Sequence, residues 1–302
     1  MAPDGFLNLL KPPGMTSHDV VSLVRARLAA TRVGHLGTLD PAAAGVLPLA
    51  IGRATRLFRF AAGSHKAYRA EVAFGMTTNT LDAEGEVVEV NGAGGLTEAR
   101  LRALLPEFLG EIEQAPPAFS AARVGGRRLH ELARRGEQRE GRPKRVTIEK
   151  LELVKFAPGP RARALIDVVC GAGTYVRVLA SELGRKADCG AYLAFLVRTR
   201  VGRFELCESL TLEQFEESCE TGDGRSIILP LDWPLADLPA VELDGGDARA
   251  FAQGTSVQAA AAPAWPVKAY GPGGSFLGLG EVVPEGQMRP RVVLVGEGSS
   301  AK

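Results

Sequence analysis

Residues 34–55 have the sequence GHLGTLDPAAAGVLPLAIGRAT and carry the strongest signal in the chain. The stretch places one acid, Asp40, and one histidine, His35, among four glycines and few other polar side chains. The pair Asp40-Pro41 is typical of a helix N-terminus, with Asp as the N-cap and Pro at the first helical position. A carboxylate that stays ionised and approachable among glycines is also suited to chemistry on a large substrate, and the two interpretations are compatible. His35 alone is typical of a hydrogen-bonded loop histidine.

The residues around this stretch predict a mixture of strands and helices. Residues 5–10 predict a strand, and Ser17 predicts the cap of a helix whose apolar side chains share one face. The alternation in 66–75 predicts a strand, with 85–90 as its pairing partner. Further predicted elements are a helix from Thr97 through Leu104, strands over 145–156, 161–171 and 191–204, and helices over 174–187 and 210–220.

The composition of the sequence changes near residue 236, where we place a domain boundary. Three prolines lie within 229–239, and the segments that follow are short and punctuated by Gly and Pro. The sequence predicts a domain over 1–235, with a basic insertion at about 120–145, and a small β-rich domain over 236–302. For the first domain the pattern of elements predicts an α+β fold built on a mixed, mainly antiparallel sheet flanked by helices. In the second, a small helix is predicted around 247–253 and strands near 267–270, 276–283 and 291–295.

The formal net charge of +1 for 302 residues conceals a segregation of charge along the chain. Lys and Arg number 30 against 20 acids in residues 1–204, one against twelve in 205–247, and five against three in 248–302. A basic portion of this size favours a polyanionic partner, whereas the acidic segment is expected to lie away from that surface. The composition, with 45% hydrophobic and 24% charged residues, excludes a disordered or fibrous protein.

Residues 123–145 form the most basic stretch, with nine basic and three acidic side chains. A charge run is usually a solvated surface, but this one has almost a single sign and is interrupted by glycines. These features favour an insertion that contacts phosphates, with Arg127 and Arg128 as candidate contacts. Tyr68, in the strand over 66–75, could stack on a base, although aromatic side chains in strands are more often part of the core.

A second candidate site is the turn GAGTYVR at 171–177, which follows a strand and opens a helix. Its G-x-G could indicate a nucleotide cofactor, but a dinucleotide fingerprint needs a third glycine where Val176 stands. The turn instead places Tyr175 and Arg177 two residues apart near a helix start. An aromatic ring and a guanidinium in this position are typical of a binding or catalytic site. They are equally typical of ordinary residues at the boundary of the core.

The sequence contains no metal motif and no sign of a membrane segment. Its four cysteines form no C-x-x-C pair and have no neighbouring histidine cluster, so we expect reduced thiols and no metal site. The N-terminus lacks a basic region followed by an apolar stretch, and there is no run of about 18 apolar residues. We therefore expect a cytoplasmic protein that does not associate with membranes.

Six blocks, in order, resemble the TruB family of bacterial tRNA pseudouridine synthases. They are LNLLKPPGMTSHD, GHLGTLDPAAAGVLPLAIGRATRL, KAYRAEVAFGMTTNTLDAEGEV, QAPPAFSAARVGGRRLHELARRG, CGAGTYVRVLASELG and LVRTRVGRF, between residues 6 and 204. Residues 237–302 more weakly resemble the PUA-like RNA-binding domain of that family. The resemblance implies a pseudouridine-synthase fold with a C-terminal PUA-like domain.

The resemblance also implies a role for individual residues. Asp40 matches the catalytic aspartate, His35 a histidine that contacts the flipped nucleotide, and Tyr68 the tyrosine that stacks on the target base. Tyr175 and Arg177 match an active-site tyrosine and the arginine that pairs with the catalytic carboxylate. Two further matches are Leu196, an apolar residue of the pocket, and Lys11, which with Pro12 supports the active-site loop.

The implied activity is isomerisation of uridine to pseudouridine in the T loop of tRNA, at U55. The reaction needs no metal or other cofactor, and we expect Arg177 to lower the pKa of Asp40 and hold it ionised. The residues do not distinguish attack of Asp40 on C6, attack on C1′ and removal of a ribose proton. We expect the T arm of tRNA as partner, no obligate protein partner, and a monomer.

Two other functions fit parts of the sequence. A non-catalytic RNA-binding or RNA-folding protein would use the basic surface, but Asp40 would then have no functional role. A nucleotide-cofactor enzyme would depend on the Gly-Ala-Gly turn at 171–173.

Overall fold

The computed structural model describes residues 3–295 except 62, 64, 121, 134, 136 and 138–140. The α-helices are α1 (Ser17–Arg27), α2 (Phe58–Ala61), α3 (Glu98–Leu104), α4 (Leu129–Ala133), α5 (Val176–Lys186), α6 (Leu212–Glu220) and α7 (Gly245–Ala252). The first nine strands are β1 (Gly5–Lys11), β2 (Val33–His35), β3 (Ala44–Ile51), β4 (His65–Phe74), β5 (Met76–Thr78), β6 (Val87–Val90), β7 (Gly110–Gln114), β8 (Arg123–Val124) and β9 (Arg127–Arg128). The others are β10 (Lys144–Ala157), β11 (Arg163–Gly171), β12 (Ala191–Val201), β13 (Phe204–Glu205), β14 (Ala240–Glu242), β15 (Val257–Gln258), β16 (Ala264–Gly271), β17 (Ser275–Val282) and β18 (Gln287–Val293).

The main sheet has the order β1-β3-β12-β4-β11-β10-β7, with β13 beside β12 and β2 beside β3. Its strand pairs are antiparallel except for β3 and β12, which run parallel. The predicted mixed, mainly antiparallel α+β fold is confirmed. The central strand β4 lies between β11 and β12, so residues at the start of β4 face neighbours from both distant segments.

The predicted pairing of 66–75 with 85–90 is wrong. Strand β6 pairs with β5, and both edges of β4 are taken by strands from far along the chain, β11 (Arg163–Gly171) and β12 (Ala191–Val201). Gly75, with φ of 96°, separates β4 from β5 and lets the chain leave the main sheet. Alternation identifies a strand but not its partner, because pairing is decided by packing between distant segments.

The predicted helix at Asp40 is also wrong. The chain makes a turn after Asp40, closed by a hydrogen bond from the Ala43 amide to the Asp40 carbonyl (3.1 Å), and then enters β3. Strand β3 was not predicted, because its side chains from Gly45 onward are buried and its sequence is a continuous apolar run without alternation. Asp40 thus lies in the loop between β2 and β3.

The cap of α1 is Thr16 rather than Ser17. The Thr16 hydroxyl accepts from the Asp19 amide, and the Asp19 carboxylate accepts from the Thr16 amide, which together form a capping box. Ser17 is buried and its hydroxyl bonds both backbone groups of Leu39. The serine therefore ties α1 to the loop that carries Asp40.

The C-terminal part of the chain forms a second sheet with the order β14-β16-β17-β18-β15. Helix α7 packs on it and contributes Phe251 to a separate apolar core. Apolar side chains of β17 and β18 also join a core cluster with Phe6 and Phe204 of the first part. In the described chain, no helix is long and apolar enough to cross a membrane.

Candidate active site

A cavity of about 270 Å³ opens where β4, β12 and the start of α5 meet the loop between β2 and β3. Five of the predicted site residues line it, namely Asp40, Tyr68, Tyr175, Arg177 and Leu196. The other lining residues are Thr38, Leu39, Lys66, Ser120, Gly173, Thr174 and Val176. No residue of the acidic segment 205–247 is among them, in agreement with the expected position of that segment.

Arg177 and Asp40 form a two-point ion pair at the wall of the cavity. The Arg177 Nε lies 3.0 Å from Asp40 Oδ2, and its Nη2 lies 3.4 Å from Asp40 Oδ1. The Arg177 side chain is 7% exposed and the Asp40 side chain 43%. The carboxylate therefore remains accessible, while the arginine that orients it is buried. A bidentate guanidinium sets the orientation of a carboxylate as well as its charge.

Arg177 also holds a second acid, Asp82, which the sequence-based prediction missed. The Arg177 Nη1 lies 3.2 Å from Asp82 Oδ2, and the Thr80 hydroxyl donates to Asp82 Oδ1 (2.6 Å). The guanidinium further donates to the carbonyls of Thr80 (3.1 Å) and Phe119 (3.0 Å). Asp82 belongs to one of the six blocks that carry the family resemblance. Its local pattern does not show that it lies beside Arg177, which is 95 positions away.

The pKa of Asp40 is raised, which corrects the expectation that Arg177 lowers it overall. Burial is the largest cause, and the negative charge of Asp82 acts in the same direction. Arg177 and Lys11 lower the pKa but do not outweigh the loss of water around the carboxylate. The ion pair therefore limits the rise of the pKa and orients the group.

Lys11 supports the loop that carries Asp40 and does not line the cavity. Its side chain is fully buried, and its Nζ donates to the carbonyls of Pro12 (2.8 Å), Met15 (2.7 Å) and Pro41 (3.1 Å). Burial lowers the pKa of Lys11 to about 8. The ammonium thus joins the N-terminal turn to the residue after Asp40, which agrees with the supporting role that the resemblance implies.

The two tyrosines lie beside buried polar side chains. Tyr68 is nearly buried and lies opposite Arg198 of the neighbouring strand β12. Burial raises the pKa of the Tyr68 phenol. The Tyr175 amide donates to Gln114 Oε1 (2.9 Å), and Gln114 Nε2 donates to the Tyr175 carbonyl (3.3 Å). Neither Gln114 nor Arg198 was singled out from the sequence, since the residues they meet are distant in the sequence.

His35, Arg127 and Arg128 do not line the cavity. His35 is half-buried in β2, where its Nδ1 accepts from the Gly37 amide (3.3 Å), and burial lowers its pKa. Arg127 is exposed on the β8–β9 hairpin. The backbone of Arg128 belongs to β9, but its side chain lies outside what the structure describes.

The Gly-Ala-Gly turn at 171–173 does not form a dinucleotide fingerprint. Val176, at the position of the third glycine, is 5% exposed and belongs to the core cluster under the sheet. The Thr174 hydroxyl donates to the Gly171 carbonyl (3.0 Å) and closes the turn. In the parts of the chain that the structure describes, no three His, Cys, Asp or Glu side chains form a group that could hold a metal ion.

Family models match nearly the whole chain. The model described as "TruB family pseudouridylate synthase (N terminal domain)" matches residues 25–176. Two C-terminal models, "tRNA pseudouridylate synthase B C-terminal domain" and "Pseudouridine synthase II TruB, C-terminal", match 177–236 and 239–294.

Named relatives and a solved structure agree with these matches. A protein named tRNA pseudouridine synthase B from Symbiobacterium thermophilum is 54% identical over 80% of this chain and 79% of its own length. One of the same name from Gloeothece citriformis is 43% identical over 96% and 97%. The solved structure of an H/ACA RNP bound to a substrate RNA containing 2′-deoxyuridine has a TM-score of 0.74 at 23% identity, covering 97% of this chain and 86% of that one.

The fold and the cavity, taken with these matches, define a pseudouridine synthase. Within that class, the chain belongs to the TruB family.

Proposed function

We propose that this protein isomerises uridine to pseudouridine at U55 in the T loop of tRNA, with Asp40 as the catalytic carboxylate and no cofactor. The observation that carries the proposal is the Asp40 carboxylate, held 3.0 Å from Arg177 at the wall of a cavity that also exposes Tyr68 and Leu196. The relatives that are 54% and 43% identical bear the name tRNA pseudouridine synthase B.

The reaction breaks the N1–C1′ bond, turns the uracil within the pocket and joins C5 to C1′. The proton on C5 is lost to solvent, and N1 takes up a proton. An ionised carboxylate with an open side can act as the nucleophile in such a step, and the guanidinium keeps it aimed at the substrate. The target base must first leave its stack in the RNA, which costs a few kcal/mol. Stacking of the base on Tyr68 offsets part of this cost and holds the base beside Asp40.

The other predicted residues take supporting roles in this proposal. Tyr175 and Leu196 complete the walls around the base, and His35, at the end of β2, contacts the flipped nucleotide. Lys11 holds the loop that carries Asp40 in place. Arg127 and Arg128 contact phosphates of the T arm from the basic insertion.

The proposal extends to the organisation of the whole protein. Residues 1–235 act as the catalytic domain, with the insertion at about 120–145 on the RNA, and 236–302 act as a PUA-like accessory domain. The protein works as a monomer in the cytoplasm. Support for the division comes from the second sheet, whose strand β14 begins at Ala240, and from the family match that begins at residue 239.

Tritium release tests the proposed reaction. A T-arm transcript labelled at C5 of uridine loses its label only when C5 forms the new bond, so we expect release by the protein without any added cofactor. Asp40→Asn should abolish release while tRNA affinity stays within about threefold, because the substitution removes the carboxylate and preserves the shape of the cavity. Full turnover by Asp40→Asn would overturn the mechanism. Tight tRNA binding without release by the unaltered protein would instead favour a non-catalytic RNA-binding protein.

A further inference from the structure

Arg198 is a fully buried cation beside the cavity. Its backbone on β12 lies opposite Tyr68 of β4 on one side and Gly45 of β3 on the other. Among the residues that the structure describes, no carboxylate forms an ion pair with it. A buried charge without an opposite charge is costly unless hydrogen bonds compensate it. The hydrogen bonds of the Arg198 guanidinium therefore show which parts of the chain it stabilises.

Three of these bonds cross the base of the loop that carries Asp40. Arg198 Nη2 donates to the Gly37 carbonyl (3.0 Å) and Nη1 to the Thr38 carbonyl (3.2 Å). Its Nε donates to the Val46 carbonyl (2.8 Å), on the other side of Asp40 in the chain. The guanidinium thus joins the residues that enter the loop to a residue of the strand that leaves it.

The same guanidinium also interacts with Tyr68. Arg198 and Tyr68 lie opposite each other where β12 pairs with β4, and the positive charge of Arg198 opposes the rise in the pKa of the phenol that burial causes. One side chain therefore acts on both the loop that carries Asp40 and the ring proposed to stack on the base. A change in its position would move the two groups relative to each other.

The surroundings of the side chain suit a guanidinium. Three carbonyl acceptors, each bonded to a different nitrogen, match the planar fork of arginine, whereas the donors of a lysine ammonium all lie on one nitrogen. Gly45 allows β3 to approach, since a Cβ there would lie 2.2 Å from the Arg198 carbonyl oxygen, and its φ of 118° disfavours other residues.

We propose that Arg198 is a positioning residue that fixes the Asp40 loop and the Tyr68 hydroxyl in one geometry for the reaction. This inference rests on the proposed function for its kinetic consequences. Its structural consequence, a loop held through the Tyr68–Arg198 contact, holds whatever the substrate is.

The kinetic test is a double-mutant cycle with Arg198→Lys and Tyr68→Phe. We expect Arg198→Lys to slow single-turnover tritium release at saturating T-arm RNA at least about tenfold, with the RNA dissociation constant changed less than about threefold. In the Tyr68→Phe background the same substitution should cost at least about threefold less, because the two side chains are neighbours across β4 and β12 and act together. Additive losses, or a loss confined to the dissociation constant, would overturn the proposal.

Arg200→Lys is the matched control. Arg200 lies two positions further along β12, is half-buried, and forms no ion pair among the described residues. We expect its rate to stay within about threefold of the unaltered protein. An equal loss in Arg200→Lys would mean that β12 tolerates no lysine, which contradicts a specific role for Arg198.

Hydrogen exchange of the full chain tests the structural part, including the case in which Arg198→Lys does not fold. Tyr68→Phe removes the hydroxyl of the residue opposite the buried guanidinium, and we expect amides in 36–43 to exchange at least about threefold faster while those of α6 do not change. Unchanged exchange in 36–43 would overturn the proposal. If the unaltered protein released no tritium, the proposed function would fail, but this measurement would still decide the role of Arg198.

Discussion

At the scale of single residues, Arg177 organises the chemistry of the cavity. It is nearly buried and contacts both Asp40 and Asp82, so its charge is shared between two carboxylates. The sequence pattern around 171–177 identified Arg177 and Tyr175 as a pair near a helix start. It did not identify Asp82, because an acid in a turn has no local feature that shows which cation it meets.

We predict that Arg177→Lys lowers turnover by about 100-fold with little change in tRNA affinity, because a lysine cannot reproduce the fork that spans two carboxylates. Arg185→Lys on the same helix is the control, since Arg185 is exposed and pairs with Glu182 one turn away. Single-turnover tritium release and filter binding measure the two quantities. An unchanged rate in Arg177→Lys would remove Arg177 from the active site.

The raised pKa of Asp40 predicts the acid side of the pH profile. The carboxylate is protonated below its pKa and cannot act as a nucleophile, so the single-turnover rate should fall on acidification at a pH above the ordinary aspartate range. Asp82→Asn removes a charge that raises this pKa and should move the fall to lower pH. Asp188→Asn, at an exposed acid paired with Arg100, should leave the profile in place. A profile that does not move in Asp82→Asn would show that the two acids are not coupled.

At the scale of elements, the loop between β2 and β3 depends on side chains from other parts of the chain. Lys11 of β1 holds Pro41, Ser17 of α1 holds Leu39, and Arg198 of β12 holds the residues before them. The local pattern predicted a helix here because Asp-Pro is a common helix start. The buried donors of distant elements satisfy the loop carbonyls instead and stabilise an irregular turn that exposes Asp40.

We predict that Ser17→Ala destabilises the fold by about 1–3 kcal/mol, because it leaves both backbone groups of Leu39 without their buried partner. Turnover should fall as well, since Leu39 directly precedes Asp40. Ser22→Ala, at an exposed position of the same helix, is the control for helix propensity. Urea unfolding followed by circular dichroism gives the free energies, and equal stabilities of the two variants would contradict the role of Ser17.

At the scale of the whole molecule, charge is segregated as the sequence indicates. The acidic helix α6 packs against β1, and its Glu216 pairs with Arg27 of α1. The cavity is lined by residues from outside the acidic segment. An RNA bound at the cavity would therefore contact residues of the basic portion, 1–204.

We predict that Arg127→Gln/Arg128→Gln weakens tRNA binding and lowers the slope of log affinity against log salt by about 0.7–0.9 for each phosphate that the protein no longer neutralises. The modified position should stay the same, because phosphate contacts carry no sequence information. Arg27→Gln, on the side of the acidic helix, is the control. Binding measured across a salt series gives both slopes, and identical slopes would make the basic insertion an ordinary solvated surface.

The sequence by itself determined the residue types of the site, most of the strands and helices, and the separation of charge. Asp40, Tyr68, Tyr175 and Arg177 lie on short motifs that single them out, Leu196 was identified by the family resemblance alone, and periodicity along the chain reports the burial of each element. Only the tertiary structure decided which strands pair with β4, why Asp40 lies in a turn, and that Asp82 pairs with Arg177 and Arg198 lies opposite Tyr68. It also decided the direction of the Asp40 pKa, because burial and the distance between charges depend on contacts between residues far apart in sequence, such as the 137 positions that separate Arg177 from Asp40.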